Sequence, residues 1–166
     1  MKKILHLTLF LGLISAVAGG LLATVNEMTA PIIADNAMAS EKKSLEELVP
    51  NGNFTIIDVT VEDAPVIKAF KDENAGWAIK AEVSGYKEKL IFFTLIGNDG
   101  KINGFKMLQN NDTVGFGSRV STNEFIDGVI GKTAGDKIDT LAGATVSSKA
   151  VVDGIDKVVE FYNANK

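Results

Sequence analysis

The chain has 166 residues, enough for one domain and a short appendage, and 46% of them are hydrophobic, as in an ordered protein. It contains no cysteine, which excludes disulfides, iron–sulfur ligation, thiolate-bound zinc, a thiol nucleophile and a lipid anchor on cysteine. The only histidine, His6, lies in an apolar run, so neither a histidine-based metal site nor a catalytic histidine is expected. Beyond residue 3 there are 15 basic and 21 acidic residues, and this acidic balance argues against nucleic acid as a partner.

The N-terminal segment is an uncharged apolar run from Ile4 to Val25. A helix of about 20 such residues spans the hydrocarbon core of a bilayer. Two lysines precede the run and the next basic residue is Lys42, so the positive-inside rule predicts a cytoplasmic N-terminus and an extracytoplasmic domain. The alternative is a cleaved signal peptide with Ala16-Val17-Ala18 as the cleavage motif, although the apolar run continues beyond it. Both interpretations export the domain.

The sequence predicts three parts. Residues 1–30 form the cytoplasmic tip and the transmembrane anchor, residues 31–52 a helical stalk or linker, and residues 53–166 the extracytoplasmic domain. The stretch Ile33–Leu48 is compatible with a helix and ends before the turn cluster Pro50-Asn51-Gly52.

Short strand-like runs separated by turns follow the stalk. The predicted strands are Phe54–Thr60, Val66–Phe70, Trp77–Val83, Leu90–Ile96 and Ile102–Leu108. Asn98-Asp99-Gly100 is typical of a hairpin turn before the last of these strands. The glycine-rich loop Thr113–Ser118, a short helix around Asn123–Ile130 and the polar loop Gly131–Asp139 come next.

The last element is an amphipathic helix. Its apolar stripe consists of Val151, Val152, Ile155, Val158, Val159 and Tyr162. A helix of this kind is expected to lie across an antiparallel sheet. The predicted fold class is therefore α+β, an antiparallel sheet with packed helices behind one N-terminal transmembrane helix.

The segment Asp139–Ser148, immediately before this helix, reads Asp-Thr-Leu-Ala-Gly-Ala-Thr-Val-Ser-Ser. Thr145 falls at the predicted N-cap, with Ser147 and Ser148 in the first turn. Free N–H groups and the positive end of the helix dipole make such a turn favourable for a phosphate. A threonine N-cap after a glycine turn is also ordinary and stabilises a helix by about 1 kcal/mol. From the residues alone, both interpretations stay open.

The same segment resembles the flavinylation motif of the FMN-binding domain family, written Asp-x-x-Ser/Thr-Gly-Ala-Thr-x-Ser/Thr. The matching residues are Asp139, Gly143, Ala144, Thr145 and Ser147. The sequence departs from the motif at Ala142, where the family has serine or threonine. The resemblance implies that FMN is joined to the Thr145 hydroxyl by a phosphoester, which a dedicated flavin transferase installs.

Other segments extend the resemblance along the chain. Gly85-Tyr86, Asp99–Ile102 and the Thr113–Gly117 loop are similar to the family and follow its order, and Leu22–Pro31 resembles the junction after the anchor in the G subunits of Rnf complexes. The loop departs from the family's His-x-Glu-Thr-Pro-Gly-Leu-Gly because the histidine and proline are missing and Asp112 replaces the glutamate.

The resemblance implies a set of residues around FMN, with Asp139 as part of the flavinylation motif. The expected contacts are Leu141, Ala142, Gly143, Ala144, Thr145, Val146, Ser147, Ser148, Thr113, Gly115, Phe116 and Gly117. Trp77 and Tyr86 are candidates for stacking on the flavin ring or for ordinary core packing. Arg119 is expected to pair with the phosphate or with an acidic neighbour.

The function that the resemblance implies is that of an electron-transfer subunit in a membrane-bound, ion-translocating ferredoxin:NAD oxidoreductase of the Rnf type. The C subunit of the sodium-translocating NADH:quinone oxidoreductase is a more distant likeness. No complete activity is expected from this chain alone, so other subunits would be its partners. Two alternatives stay open: a solitary anchored flavoprotein that donates electrons to extracellular acceptors, and a non-redox anchored binding or scaffold module, which Ala142 favours.

Overall fold

The computed structural model describes residues 2–60, 64–133 and 136–166. The chain divides into two compact units, one up to Lys43 and the other from Ser44 to Lys166. The predicted boundaries after residues 30 and 52 stay predictions.

Helix α1 runs from Lys2 to Leu48 and includes Pro31, so one continuous helix covers the predicted anchor and residues 31–48 of the predicted stalk. It is long and apolar enough to cross a membrane. Two threonine hydroxyls in its apolar part donate hydrogen bonds to carbonyl groups one turn earlier. Thr8 donates to the Ile4 carbonyl at 3.0 Å and Thr24 to the Gly20 carbonyl at 2.9 Å. These polar groups are therefore satisfied within the helix, as a lipid environment requires.

The second unit contains a five-stranded antiparallel sheet in the order β1-β2-β3-β4-β5. The strands are β1 (Thr55–Ile57), β2 (Val66–Asp72), β3 (Gly76–Ser84), β4 (Lys89–Ile96) and β5 (Ile102–Asn110). Each predicted strand is present, and Gly100 adopts a φ of 80° in the hairpin between β4 and β5, where the sequence predicts a turn. The α+β prediction is confirmed.

Both faces of the sheet are covered. On one face, alternating residues such as Ile79, Ala81 and Phe92 are buried beneath the helices that follow the sheet. Phe70, Ala78, Phe93 and Leu95 face the other way. They pack against Leu45 and Leu48 at the end of α1 and against Val49 and Phe54, which follow it. Alternation of side chains along each strand therefore supplies two separate apolar clusters.

Three helices follow the sheet in the described part of this unit: a 3₁₀ helix at Gly117–Ser121, α2 at Asn123–Val129 and α3 at Thr145–Asn165. The stripe predicted on α3 is its buried face, with Val152 half-buried. Tyr162 packs edge-to-face on Trp77 with ring centroids 5.9 Å apart, and its hydroxyl donates to the Gly97 carbonyl at 3.2 Å. Trp77 is thus a core residue.

Gly154 is the point of close approach between α3 and the sheet. A Cβ atom at this position would lie 2.6 Å from Cγ1 of Val83 and 3.1 Å from Cζ of Phe92. The glycine therefore lets the helix backbone rest directly on β3 and β4.

One end of the sheet gathers the segments that the sequence singles out. The loop after β3 starts at Gly85, and β5 ends at Asn110, which pairs with Leu90 near the start of β4. Because neighbouring strands are antiparallel, the β3–β4 loop and the glycine-rich loop after β5 leave the sheet at the same end.

Candidate functional site

A cavity of about 460 Å³ opens at this end of the sheet. Its lining comes from the β3–β4 loop, the glycine-rich loop and the start of α3, namely Tyr86, Thr113, Phe116 and the five consecutive residues Gly143 to Ser147. Tyr86, Phe116 and Val146 are 71%, 60% and 56% exposed, so apolar side chains stand at the opening. The volume lies within the usual range for small-ligand sites.

The start of α3 differs by one residue from the prediction. The N-cap is Ala144, and Thr145 is the first helical residue, so the prediction of Thr145 as N-cap was wrong. The helix has no side-chain cap among the residues that the structure describes. The first N–H groups of a helix lack partners within it, and here they stay available to an anion.

The hydroxyl groups of the first turn have different environments. Ser147 is 1% exposed and donates to Oδ2 of Asp112 at 2.5 Å. Ser148 is fully buried, where its Oγ donates to the Ala144 carbonyl at 2.9 Å and accepts the Leu141 N–H at 3.0 Å. Thr145 is exposed, and its Oγ1 makes only a long contact of 3.5 Å with the Leu141 carbonyl among the described residues. Of these three hydroxyls, that of Thr145 is the one accessible from the cavity.

Arg119 holds the turn that precedes Thr145. Its Nη1 donates to the Ala142 carbonyl at 2.6 Å and its Nη2 to Oε2 of Glu124 at 2.9 Å. Of the two partners expected for this arginine, the acidic neighbour is therefore the one observed. Gly143 follows with a φ of 80°, a conformation that favours glycine, so the glycine of the motif makes the turn possible.

Asp112 joins the three segments around the cavity. Its buried carboxylate accepts hydrogen bonds from the N–H groups of Tyr86 at 2.9 Å, Lys87 at 3.2 Å and Thr113 at 2.8 Å, in addition to Ser147 Oγ. Burial acts to raise the pKa of Asp112, but the hydrogen bonds from Ser147, Thr113, Tyr86 and Lys87 together lower it below the usual range. The carboxylate is therefore ionised at neutral pH.

The predicted cofactor residues divide into two groups. Thr113, Phe116, Gly143, Ala144, Thr145, Val146 and Ser147 line the cavity. The residues that do not line it are Leu141, Ala142, Ser148, Gly115 and Gly117. Leu141 packs against the core, and the Gly115 N–H donates to Ser118 Oγ at 2.9 Å.

Two further expectations concern residues near the motif. Asp139 is exposed, forms an ion pair with Lys137 at 3.0 Å, and lines a separate cavity beside α2. Tyr86 lines the Thr145 cavity, whereas Trp77, the other stacking candidate, lies in the core. The sequence analysis assigns no role to Asp112, although this residue stands where the family's loop has a glutamate and so keeps a carboxylate before Thr113.

The residues at the cavity fit FMN. A phosphoryl group at Thr145 would lie at the N-terminus of a 21-residue helix, where N–H groups and the helix dipole favour negative charge. Tyr86, Phe116 and Val146 supply apolar surface for a flat ring. One cavity therefore offers both a site for the phosphate of FMN and an apolar surface for its ring.

Comparison with known proteins agrees with this site. The model of the FMN-binding domain family matches residues 85–160, and that of the RnfG N-terminal region matches residues 1–48. The first match begins at the Gly85-Tyr86 loop and includes every residue that lines the cavity.

Curated relatives match over nearly the whole chain. The G subunit of the ion-translocating oxidoreductase complex of Methanosarcina acetivorans is 26% identical over 99% of this chain and 97% of its own length. Its counterpart in the same complex of Pseudomonas aeruginosa is 26% identical over 99% and 91%. The G subunit of the Na⁺-translocating ferredoxin:NAD⁺ oxidoreductase complex of Acetobacterium woodii is 27% identical over 97% and 92%.

The cavity, the motif and these matches point to one family. The chain carries a domain of the FMN-binding domain family at residues 85–160 behind an RnfG-type N-terminal region, and over nearly its whole length it resembles the G subunits of Rnf complexes.

Proposed function

We propose that this chain is the FMN-carrying electron-transfer subunit of a membrane-bound, ion-translocating ferredoxin:NAD oxidoreductase of the Rnf type. In this proposal a flavin transferase joins FMN to Thr145 by a phosphoester: Oγ1 attacks the FMN phosphorus of an activated donor, a flavin dinucleotide. The phosphoanhydride bond breaks, the nucleoside monophosphate leaves, and the hydroxyl proton is released to solvent. The chain then acts as one of the electron carriers of a larger complex.

The observation that carries the proposal is the environment of Thr145. Its hydroxyl is exposed in the cavity, whereas the hydroxyls of Ser147 and Ser148 are buried and hydrogen bonded. The uncapped start of α3 favours a phosphoryl group at this position.

Bound FMN would supply the electron-transfer chemistry, and the protein would position it and tune its potential. Tyr86 and Phe116 would cover part of the ring surface, and the turn held by Arg119 would keep Thr145 at the edge of the cavity. A covalent tether would keep the cofactor on a domain outside the cytoplasm.

The complex itself can be tested by affinity purification of the tagged full-length chain from membranes in mild detergent. We expect further subunits to co-purify and the visible absorption band of the flavin to bleach on addition of NADH or reduced ferredoxin. Membranes that contain Thr145→Ala serve as the control and are expected to show no bleaching from this chain. A single polypeptide whose flavin neither donor reduces would contradict the proposal and favour the solitary flavoprotein.

The same proposal places α1 in the cell membrane as a single span, with the N-terminus in the cytoplasm. Two lysines precede the apolar run, and this charge bias supports the orientation.

Because the chain has no cysteine, a single introduced cysteine reports its own side of the membrane. Lys101 is an exposed residue of the β4–β5 hairpin, so Lys101→Cys is expected to react with a membrane-impermeant maleimide added outside intact cells. A cysteine inserted before Lys2 is expected to react only after the cells are opened. The reverse pattern would show that the assigned orientation is wrong.

A further inference from the structure

Three separate chain segments around the cavity meet at one carboxylate. Asp112 binds the side chain of Ser147, on α3, and the backbone N–H groups of Tyr86 and Thr113, on the two loops. Ser147 lies two residues after Thr145, in the same helical turn. Asp112 therefore connects the proposed attachment point to the two loops that carry Tyr86 and Phe116.

Two glycines make room for this carboxylate. A Cβ atom at Gly117 would overlap Cγ and Oδ2 of Asp112, and one at Gly85 would lie 2.7 Å from Oδ2. Neither glycine has a positive φ, so backbone conformation does not require glycine at either position. The absence of a side chain instead leaves space for the carboxylate of Asp112. The backbone of both loops is thus fitted around the carboxylate.

We propose that Asp112 is a positioning residue for FMN, because its carboxylate fixes the turn that carries Thr145 relative to the loops that carry Tyr86 and Phe116. This inference rests on the proposed function and assigns a role to a residue outside the flavinylation motif. Without the carboxylate, the N–H groups of Tyr86, Lys87 and Thr113 lose their common acceptor, and the walls of the cavity are free to move apart. The ring of the tethered flavin then has no single orientation.

Asp72 provides a matched control. It is also a buried aspartate with a lowered pKa, and its carboxylate accepts the N–H groups of Ala75 at 2.7 Å, Asn53 at 2.6 Å and Asn74 at 2.8 Å. It lies beside the start of β3, whereas the Gly85 loop follows the end of that strand, so roughly 25 Å separate the two sites. Asp72→Asn removes comparable hydrogen bonds without touching the cavity.

The experiment uses the full-length chain, produced in membranes together with a flavin transferase, as wild type, Asp112→Asn, Ser147→Ala, Ser147→Thr and Asp72→Asn. Flavin content is measured by absorbance, and the visible circular dichroism per flavin reports how firmly the ring is held. Thermal unfolding is recorded in parallel.

We expect Asp112→Asn and Asp72→Asn to lower the unfolding temperature alike. Only Asp112→Asn and Ser147→Ala are expected to lose at least half of the dichroism per flavin, and Ser147→Thr, which keeps the hydroxyl, retains it.

An Asp112→Asn protein that takes up no flavin, beside a fully loaded Asp72→Asn protein, would also support the proposal. Unchanged dichroism in Asp112→Asn, or equal losses in both aspartate variants, would overturn it. A wild-type chain without flavin would refute the proposed function, and this inference with it. Failure of the inference alone leaves a wild type that carries flavin, with Asp112→Asn either identical to it or no more affected than Asp72→Asn.

Discussion

A Thr145→Ala variant is expected to carry no covalently bound flavin, whereas the wild type shows flavin fluorescence on a denaturing gel. The substitution removes the exposed hydroxyl of the cavity and leaves the buried hydroxyls of Ser147 and Ser148 in their hydrogen bonds. Alanine has a high helix propensity, so α3 is expected to form as before. The measurement is fluorescence per mole of protein after denaturation, which retains only covalent flavin.

Two variants make this result specific to the hydroxyl at position 145. Thr145→Ser keeps an oxygen at the same place and is expected to retain part of the fluorescence. Thr140→Ala removes another exposed hydroxyl of the same motif, one that does not line the cavity, and is expected to retain all of it. Full fluorescence in Thr145→Ala would show that the flavin is attached elsewhere.

A Gly154→Ala variant is expected to be less stable than the wild type by about 1–3 kcal/mol, although alanine is the better helix former. Its new Cβ would lie 2.6 Å from Cγ1 of Val83, so α3 must move away from β3 and β4. The free energy of unfolding can be measured on the full-length chain with denaturant in detergent. The same displacement would move the start of the helix and so disturb the cavity.

Gly128→Ala is the matched control, because this glycine is also helical. A Cβ atom there would have no heavy atom within 4 Å apart from its chain neighbours and the backbone of its own helix. Only the gain in helix propensity remains, so this variant is expected to be more stable by up to about 1 kcal/mol. The two glycine-to-alanine changes should therefore have opposite signs. A stabilising Gly154→Ala would mean that α3 does not rest on the sheet as described.

Periodicity was sufficient to predict the framework of the domain. Strands β2 to β5 carry alternating or continuous apolar runs, and the stripe on α3 repeats at helical spacing, so each was predicted within a few residues of its limits. The end of α1 at Leu48 was predicted from the turn cluster that follows it. These features depend on local sequence, which is visible without the fold.

The cavity was only partly predictable. The motif indicated Thr145, but whether a hydroxyl is exposed or engaged depends on partners far away in sequence, such as Asp112 for Ser147. The role of Asp112 arises from three segments that meet only in the folded domain, and the glycines that make room for it show no positive φ. The one-residue error at the N-cap reflects the same limit. Threonine is the preferred N-cap by residue type, but in the folded chain the adjacent Ala144 holds that position.

Ala142, the departure from the motif, is better understood in the structure. Its side chain is exposed and does not line the cavity, and its backbone carbonyl accepts the bond from Arg119. The turn before Thr145 is thus held through a backbone atom that any residue would supply. Position 142 therefore holds this turn without a side-chain hydroxyl, and the scaffold alternative stays open.

The most direct test of covalent FMN on Thr145 is mass spectrometry of one tryptic peptide from the membrane-purified chain. Cleavage after Lys137 and Lys149 releases Ile138–Lys149, which contains Thr140, Thr145, Ser147 and Ser148. We expect this peptide to be heavier by one FMN less water, and we expect fragmentation to place the added mass on Thr145. An unmodified peptide, from cells with an active flavin transferase, or an added mass on another residue would contradict the proposed attachment.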